Sequence, residues 1–478
     1  MEYAVPHPAT ARPLLMVSLG TALVLVTYVT PMATVPATAA DLAAGPVARA
    51  WILSSMSVGL AAFLLATGVL GDSHGHRRTY LWGMTALGLG ALGSAAATDA
   101  AVFVAARVVE GAGGAAILAC GLAILADVFP AGAPRGQATA VWGASVGLGI
   151  SVGCVLAAAL DIGSGWRETY AVVGVAALLL IPATRRWVRL PVVTRGAPAR
   201  RVDVAGLLLL SGAMTLLVTA LTQGRSGVTA LTLVLVTAAA VALALFAWTE
   251  TRVAHPLLDP ALLGEPRFVG ATLGALVLGV GVIGTTSFVP TIVQRGLGGT
   301  LWTGSLLILV WSVTSVLTAV SLRRSPWPLT GTAPLAGLFV VVSLGLALAW
   351  GMRVDSSPWR LVPALLVSGL ATGLLNALLG REAVASVPTD RTAMGSGANQ
   401  TARYLGAACG ITLFTVVATH AGGGEDPASL MVGWNAAVAV SAAVTLVGAV
   451  LLALVARAEI SRRTSPVPED AQLRTSRS

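Results

Sequence analysis

The sequence predicts an all-α membrane protein of fourteen transmembrane helices, and three observations carry that expectation. Hydrophobic residues make up 56% of the 478, with a mean hydropathy of +0.85, more apolar surface than a water-soluble domain can bury. The apolar residues gather in runs of about 20, the length that crosses a bilayer as a helix. Finally, the chain contains no lysine: its 29 basic residues are all arginine and sit mostly in short loops. The net charge of +9 therefore reads as membrane orientation, not as a basic face for nucleic acid.

In chain order the runs lie at 14–36, 49–71, 79–97, 102–125, 138–160, 168–187, 204–222, 228–249, 268–292, 303–322, 333–352, 360–380, 399–420 and 431–456. Pro31 and Pro290 interrupt the first and the ninth. The first run is too long for a signal-peptide core and reads as a retained helix. Cys120, Cys154 and Cys409 all fall inside apolar runs and read as small packing residues. The short loops leave no room for a soluble catalytic domain. With no nucleophile–base pair or metal-ligand cluster, neither an enzyme nor a cofactor or metal is expected. The polar stretch 459–478 is expected to be a disordered tail.

Placing the N-terminus, the even-numbered loops and the C-terminus on one side gathers 21 of the 29 arginines there and leaves six on the other. Both termini are accordingly expected in the cytoplasm of a multi-pass plasma-membrane protein. Arg107 and Arg403 remain, inside predicted helices.

The loop after the second run reads "GVLGDSHGHRRTYLWG", Gly68 to Gly83. A glycine turn at Gly75 and an acid at a helix end explain its form. A solvated topological turn is one alternative, and a metal site of Asp72, His74 and His76 another. The stretch resembles the signature loop of the major facilitator superfamily, with Gly68, Leu70, Asp72, Gly75, Arg77 and Arg78 in register. That resemblance implies a latch between two bundles on the cytoplasmic side. His76 stands where the family commonly has a permanently charged base, so a latch tuned near neutral pH is expected.

Further stretches carry the resemblance. "ARVVEGAGGAA" looks like the family's fourth-helix motif, with Arg107 as its intramembrane arginine and Glu110 where glutamine is usual. Arg107 and Glu110 share a helix face, so they should pair or face a wet cavity. "GLGISVGCVLAA" resembles the fifth-helix antiporter motif in Gly149, Gly153, Ala157 and Ala158, but Cys154 replaces its proline. "GWRETY", "VDVAGLLLL", "HPLLDPALL" and "GSGANQTARYLGAACG" look like segments of the fourteen-helix drug:proton antiporter branch, which handles multidrug efflux and antibiotic resistance. "SLRRSPWP" keeps Arg323 and Arg324 where a second copy of the signature loop would fall. The branch's first-helix aspartate is absent: nine residues before Pro36 stands Thr27.

The resemblance implies the major facilitator fold, with a six-helix bundle in 1–190, two accessory helices in 191–255 and a second six-helix bundle in 256–458. Its implied activity is efflux of an amphipathic small molecule by alternating access, coupled to protons through Glu110 beside Arg107. Thr27, Asn376, Asn399 and Arg403 are the candidate cavity residues. Thr27 and Cys154 favour a second reading, a facilitator or exchanger not driven by protons; a non-transporting sensor or scaffold is a third. Few fixed charges lie in the interior, which favours neutral or zwitterionic substrates. Lipid and a small molecule are the expected partners, with oligomeric state left open.

Overall fold

Fourteen helical passes follow one another in the computed structural model, which describes residues 8–160, 165–188, 203–224, 227, 229–253, 260–322, 329–424 and 426–464. The first eight are α1 (Pro8–Asp41), α2 (Pro46–His74), α3 (His76–Ala95), α4 (Ala100–Val128), α5 (Ala133–Leu160), α6 (Trp166–Trp187), α7 (Val204–Gly224) and α8 (Ala230–Glu250). There follow α9 (Pro266–Gly296), α10 (Leu301–Ser321), α11 (Ala333–Leu348), α12 (Val362–Ala385), α13 (Thr392–Gly422) and α14 (Pro427–Thr464). Twelve are long and apolar enough to cross a membrane by themselves; α3 and α11 fall outside that group, α11 having 16 residues.

Hydrocarbon offers backbone groups no partners, so each apolar run closes its hydrogen bonds within a helix. Side chains mark several starts. Asp99 accepts from the amides of Ala101 and Val102 at 2.9 Å, and Thr229 and Thr232 cap α8 reciprocally. Pro31 leaves α1 unbroken, whereas α9 changes its winding: π turns at Gly279–Ile283 and Ile292–Gly296 lie on either side of Pro290.

Within the first half α2 and α3 pack on α4, and α1 on α5; within the last six passes α10 packs on α12, and α11 and α13 on α14. The halves meet where α2 lies against α13 and where α5 lies against α10 and α12. There Ser312 Oγ donates to the Gly147 carbonyl, and Trp142, fully buried, covers Gly380. α7 docks beside this seam: Leu210, Met214 and Val218 pack with Val58, Ala61 and Leu65 of α2 and with Ala408 of α13. α8 packs on α7 and leaves Leu231, Leu233, Val234 and Val236 exposed, as a lipid-facing helix should.

Residues 459–464, the first part of the stretch expected to be a tail, are helical. α14 continues to Thr464, because Glu459 is anchored: its Oε2 accepts from the Thr332 amide at 3.0 Å, at the start of α11. Arg267 bridges the same corner, 2.6 Å from Glu382 and 3.9 Å from Glu459. Residues 465–478, Arg323, Arg324 and most of "HPLLDPALL" lie outside the described residues.

Candidate functional site

The signature loop is the hinge between α2 and α3. Gly75 holds φ +99°, a backbone conformation that side chains with a Cβ rarely adopt. Gly68 is needed for another reason: a Cβ there would lie 2.5 Å from the Ala393 carbonyl of α13. That close approach lets Asp72 reach across to the other half. Its Oδ1 accepts from the Ala393 amide at 3.0 Å and its Oδ2 from the Met394 amide at 2.8 Å. These are unpaired donors of the first turn of α13, where negative charge is favoured. Arg77 donates to the Arg185 carbonyl at 2.8 Å, and Arg78 lies over the Trp82 ring.

His76 sits between two carboxylates, with Nε2 2.9 Å from Asp72 and Nδ1 2.6 Å from Asp127. Burial works against its charge, but the hydrogen bonds to Asp127 and Asp72 outweigh it and push the pKa from 6.5 up to about 9. The expected titration near neutrality is therefore corrected: His76 is a cation there and replaces a permanent base in kind. Because its folded value is raised, its contribution to the latch is complete below 6.5 and fades as pH rises through about 9. Thermal stability should thus be level below about pH 6.5, fall steadily between about pH 6.5 and about 9, and level off above that. His76→Arg should remove the alkaline part of that profile; an unchanged profile would contradict the assignment. His74 points elsewhere, its Nδ1 2.8 Å from Ser73 Oγ.

Deep in the first half, Arg107 and Glu110 form a fully buried pair at 2.7 Å. Thr27 Oγ1 and Ser94 Oγ each donate to a different oxygen of Glu110. Arg107 Nη1 also donates to Thr27 at 2.9 Å, and its guanidinium lies 5.4 Å from the Tyr170 ring centroid. The first-helix position that lacks its aspartate is thus in contact with a carboxylate supplied by α4.

A cavity opens between the halves, walled by α1, α5, α9, α10, α12 and α13, with about 930 Å³ of empty space, its open mouth included. Arg403 and Asn376 line it, with Gln400, Tyr28, Tyr404 and Trp311. Arg403 lies nine positions after Met394 on α13, about 13.5 Å along the axis, so the cavity and the Asp72 contact sit at different depths of the seam. Two expected cavity residues are elsewhere. Thr27 belongs to the Glu110 cluster, and Asn399 donates to the Ala271 carbonyl at 2.8 Å.

The fifth-helix residues divide by face. Gly149 and Gly153 press against α1, a Cβ on Gly149 falling 2.5 Å from the Ala22 carbonyl. Ala157 is buried, and Cys154 faces the cavity. α5 runs straight through Cys154, as a helix without the motif's proline can. Sequence reasoning missed Asp127 as a latch member, though an acid at the end of α4 near a basic loop was a usable signal. It also missed Gln400 and Tyr404, although both lie within "GSGANQTARYLGAACG", and Tyr28 and Trp311, which carry no pattern apart from lying on apolar helices.

Two bundles of membrane helices, sealed at one end and hollow between, define a transporter of small molecules. The chain matches the Major Facilitator Superfamily over residues 17–411, and it belongs to that family. It is 30% identical over 401 residues to a probable actinorhodin transporter of Streptomyces coelicolor, covering 79% of this chain and 67% of that one. A cephamycin export protein of Amycolatopsis lactamdurans is 29% identical over 86% of this chain and 85% of its own length. A puromycin resistance protein of Streptomyces alboniger is 28% identical, covering 87% and 85%. Among solved structures, a human organic anion transporter superposes with a TM-score of 0.66 at 17% identity, over 93% of this chain and 99% of that one. At that identity the likeness is one of fold.

Proposed function

We propose that this protein exports an amphipathic small molecule, a drug or natural product, across the plasma membrane by alternating access, in exchange for protons taken up at Glu110. Both termini and the latch face the cytoplasm in this reading, in keeping with the arginine bias. The observation that carries the coupling is the contact of Glu110 with Thr27: the carboxylate missing from α1 is replaced from α4 at the same place. Protonation removes the charge that Arg107 answers and frees the pair to rearrange, biasing one state over the other. The drug-export and resistance names of the relatives support the direction of transport.

Glu110→Gln keeps the hydroxyl contacts and loses the titration. In proteoliposomes it should abolish efflux driven by a pH gradient while substrate counterflow continues. Full gradient-driven efflux in that variant would refute the coupling. One observation favours the second reading, a facilitator: Arg107 and Glu110 are fully buried and mutually paired, as a purely structural ion pair would be. Substrate-driven proton flux separates the two, since a facilitator shows none.

A further inference from the structure

The cavity wall carries one unanswered charge, and its geometry narrows the substrate class; this rests on the reading of the cavity as the transport site. Arg403 is 3% exposed. Its Nη1 donates to Asn376 Oδ1 at 2.9 Å, while Nε and Nη2 have no hydrogen-bond partner. Among the described residues no carboxylate pairs with it, and no other charged side chain lines the cavity. Arg107 differs in this respect, since Glu110 lies beside it. A buried guanidinium without a counter-charge is costly to a fold unless something else supplies that charge.

The unbonded atoms are informative. Nε–H and Nη2–H point side by side in the guanidinium plane, the two-pronged edge that fits both oxygens of a carboxylate. Asn376 occupies the remaining end and so fixes the direction in which the fork faces. Nearby, Trp311 Nε1 and Gln400 Oε1 are also unpartnered, and Tyr28 meets Tyr404 edge to face at 5.3 Å, an aromatic wall for an apolar body. The small number of interior charges suggested neutral or zwitterionic substrates; placing those charges points to an acid. With threonine at position 27 and Glu110 committed to Arg107, the cavity is left positive.

We propose that the cavity binds amphipathic organic carboxylates, with Arg403 gripping the acid through Nε and Nη2. The test compares pyrenebutyrate, its primary amide and pyrenebutylamine, three probes of matched body, by equilibrium binding to the full chain in lipid nanodiscs, with empty nanodiscs subtracted. The carboxylate should bind about tenfold or more tighter than the amide, and the amine weakest. Arg403→Gln should reduce the carboxylate's advantage to about twofold or less. The wild-type ranking decides even where that variant fails to fold. Equal binding of the three, a preference for the amine, no binding of the carboxylate, or a carboxylate preference that survives Arg403→Gln each overturns the proposal. Accumulation of all three probes alike in inverted vesicles would leave export standing and sink this inference. Selective carboxylate binding with no probe moved would do the reverse.

Discussion

Glu110→Leu is expected to destabilise the protein by about 3–5 kcal/mol, the cost of stranding a buried charge by removing its partner. Arg107 is fully buried, its Nε and Nη2 already lack partners, and without Glu110 its remaining contacts are Thr27 and the Tyr170 ring. The reverse change, Arg107→Met, should cost less. A lone buried carboxyl can take up a proton and become neutral, still bonded by Thr27 and Ser94, whereas a guanidinium cannot lose its charge. Arg107→Met combined with Glu110→Leu should recover most of the loss, since apolar groups of similar volume often replace a buried ion pair with little penalty. Thermal unfolding of the three variants in detergent measures the cycle. A double variant as unstable as Glu110→Leu would mean that the cost lies in packing and not in charge.

Asp72→Ala should release the latch. Each bond from a backbone amide to a charged acceptor contributes about 1.5–3 kcal/mol, and Asp72 accepts two from the first turn of α13. A net loss of even about 3 kcal/mol shifts the closed-to-open ratio about 150-fold. Spin labels at His74 and Thr389 should move from one short distance to a mainly longer one, and transport should collapse with the lost closed state. Gly68→Ala tests the same closure by a different force, because its Cβ would meet the Ala393 carbonyl at 2.5 Å. If both variants keep the short distance, the seam between α2 and α13 is held by something other than this loop.

The latch was legible in the sequence because its parts are adjacent: a turn glycine, an acid and two arginines within a few residues form a recognisable pattern. What Asp72 touches was not legible, since Ala393 and Met394 contribute backbone amides, which no side-chain pattern reveals. His76 shows the limit most sharply. As a residue type it titrates near neutrality, but Asp127, 51 positions away, makes it a standing cation.

By itself the sequence determined the fourteen helices, their approximate ends and the family. Hydrocarbon forces every backbone group to bond within its own helix, so local hydropathy is sufficient to define each pass. Which polar groups meet was decided by tertiary packing. Thr27, Glu110 and Arg107 close into one cluster while Arg403, Asn376 and Gln400 face the cavity, because helices far apart in the chain pack at close quarters. In a medium of low dielectric such meetings determine whether a charge is answered, as for Glu110, or left open, as for Arg403.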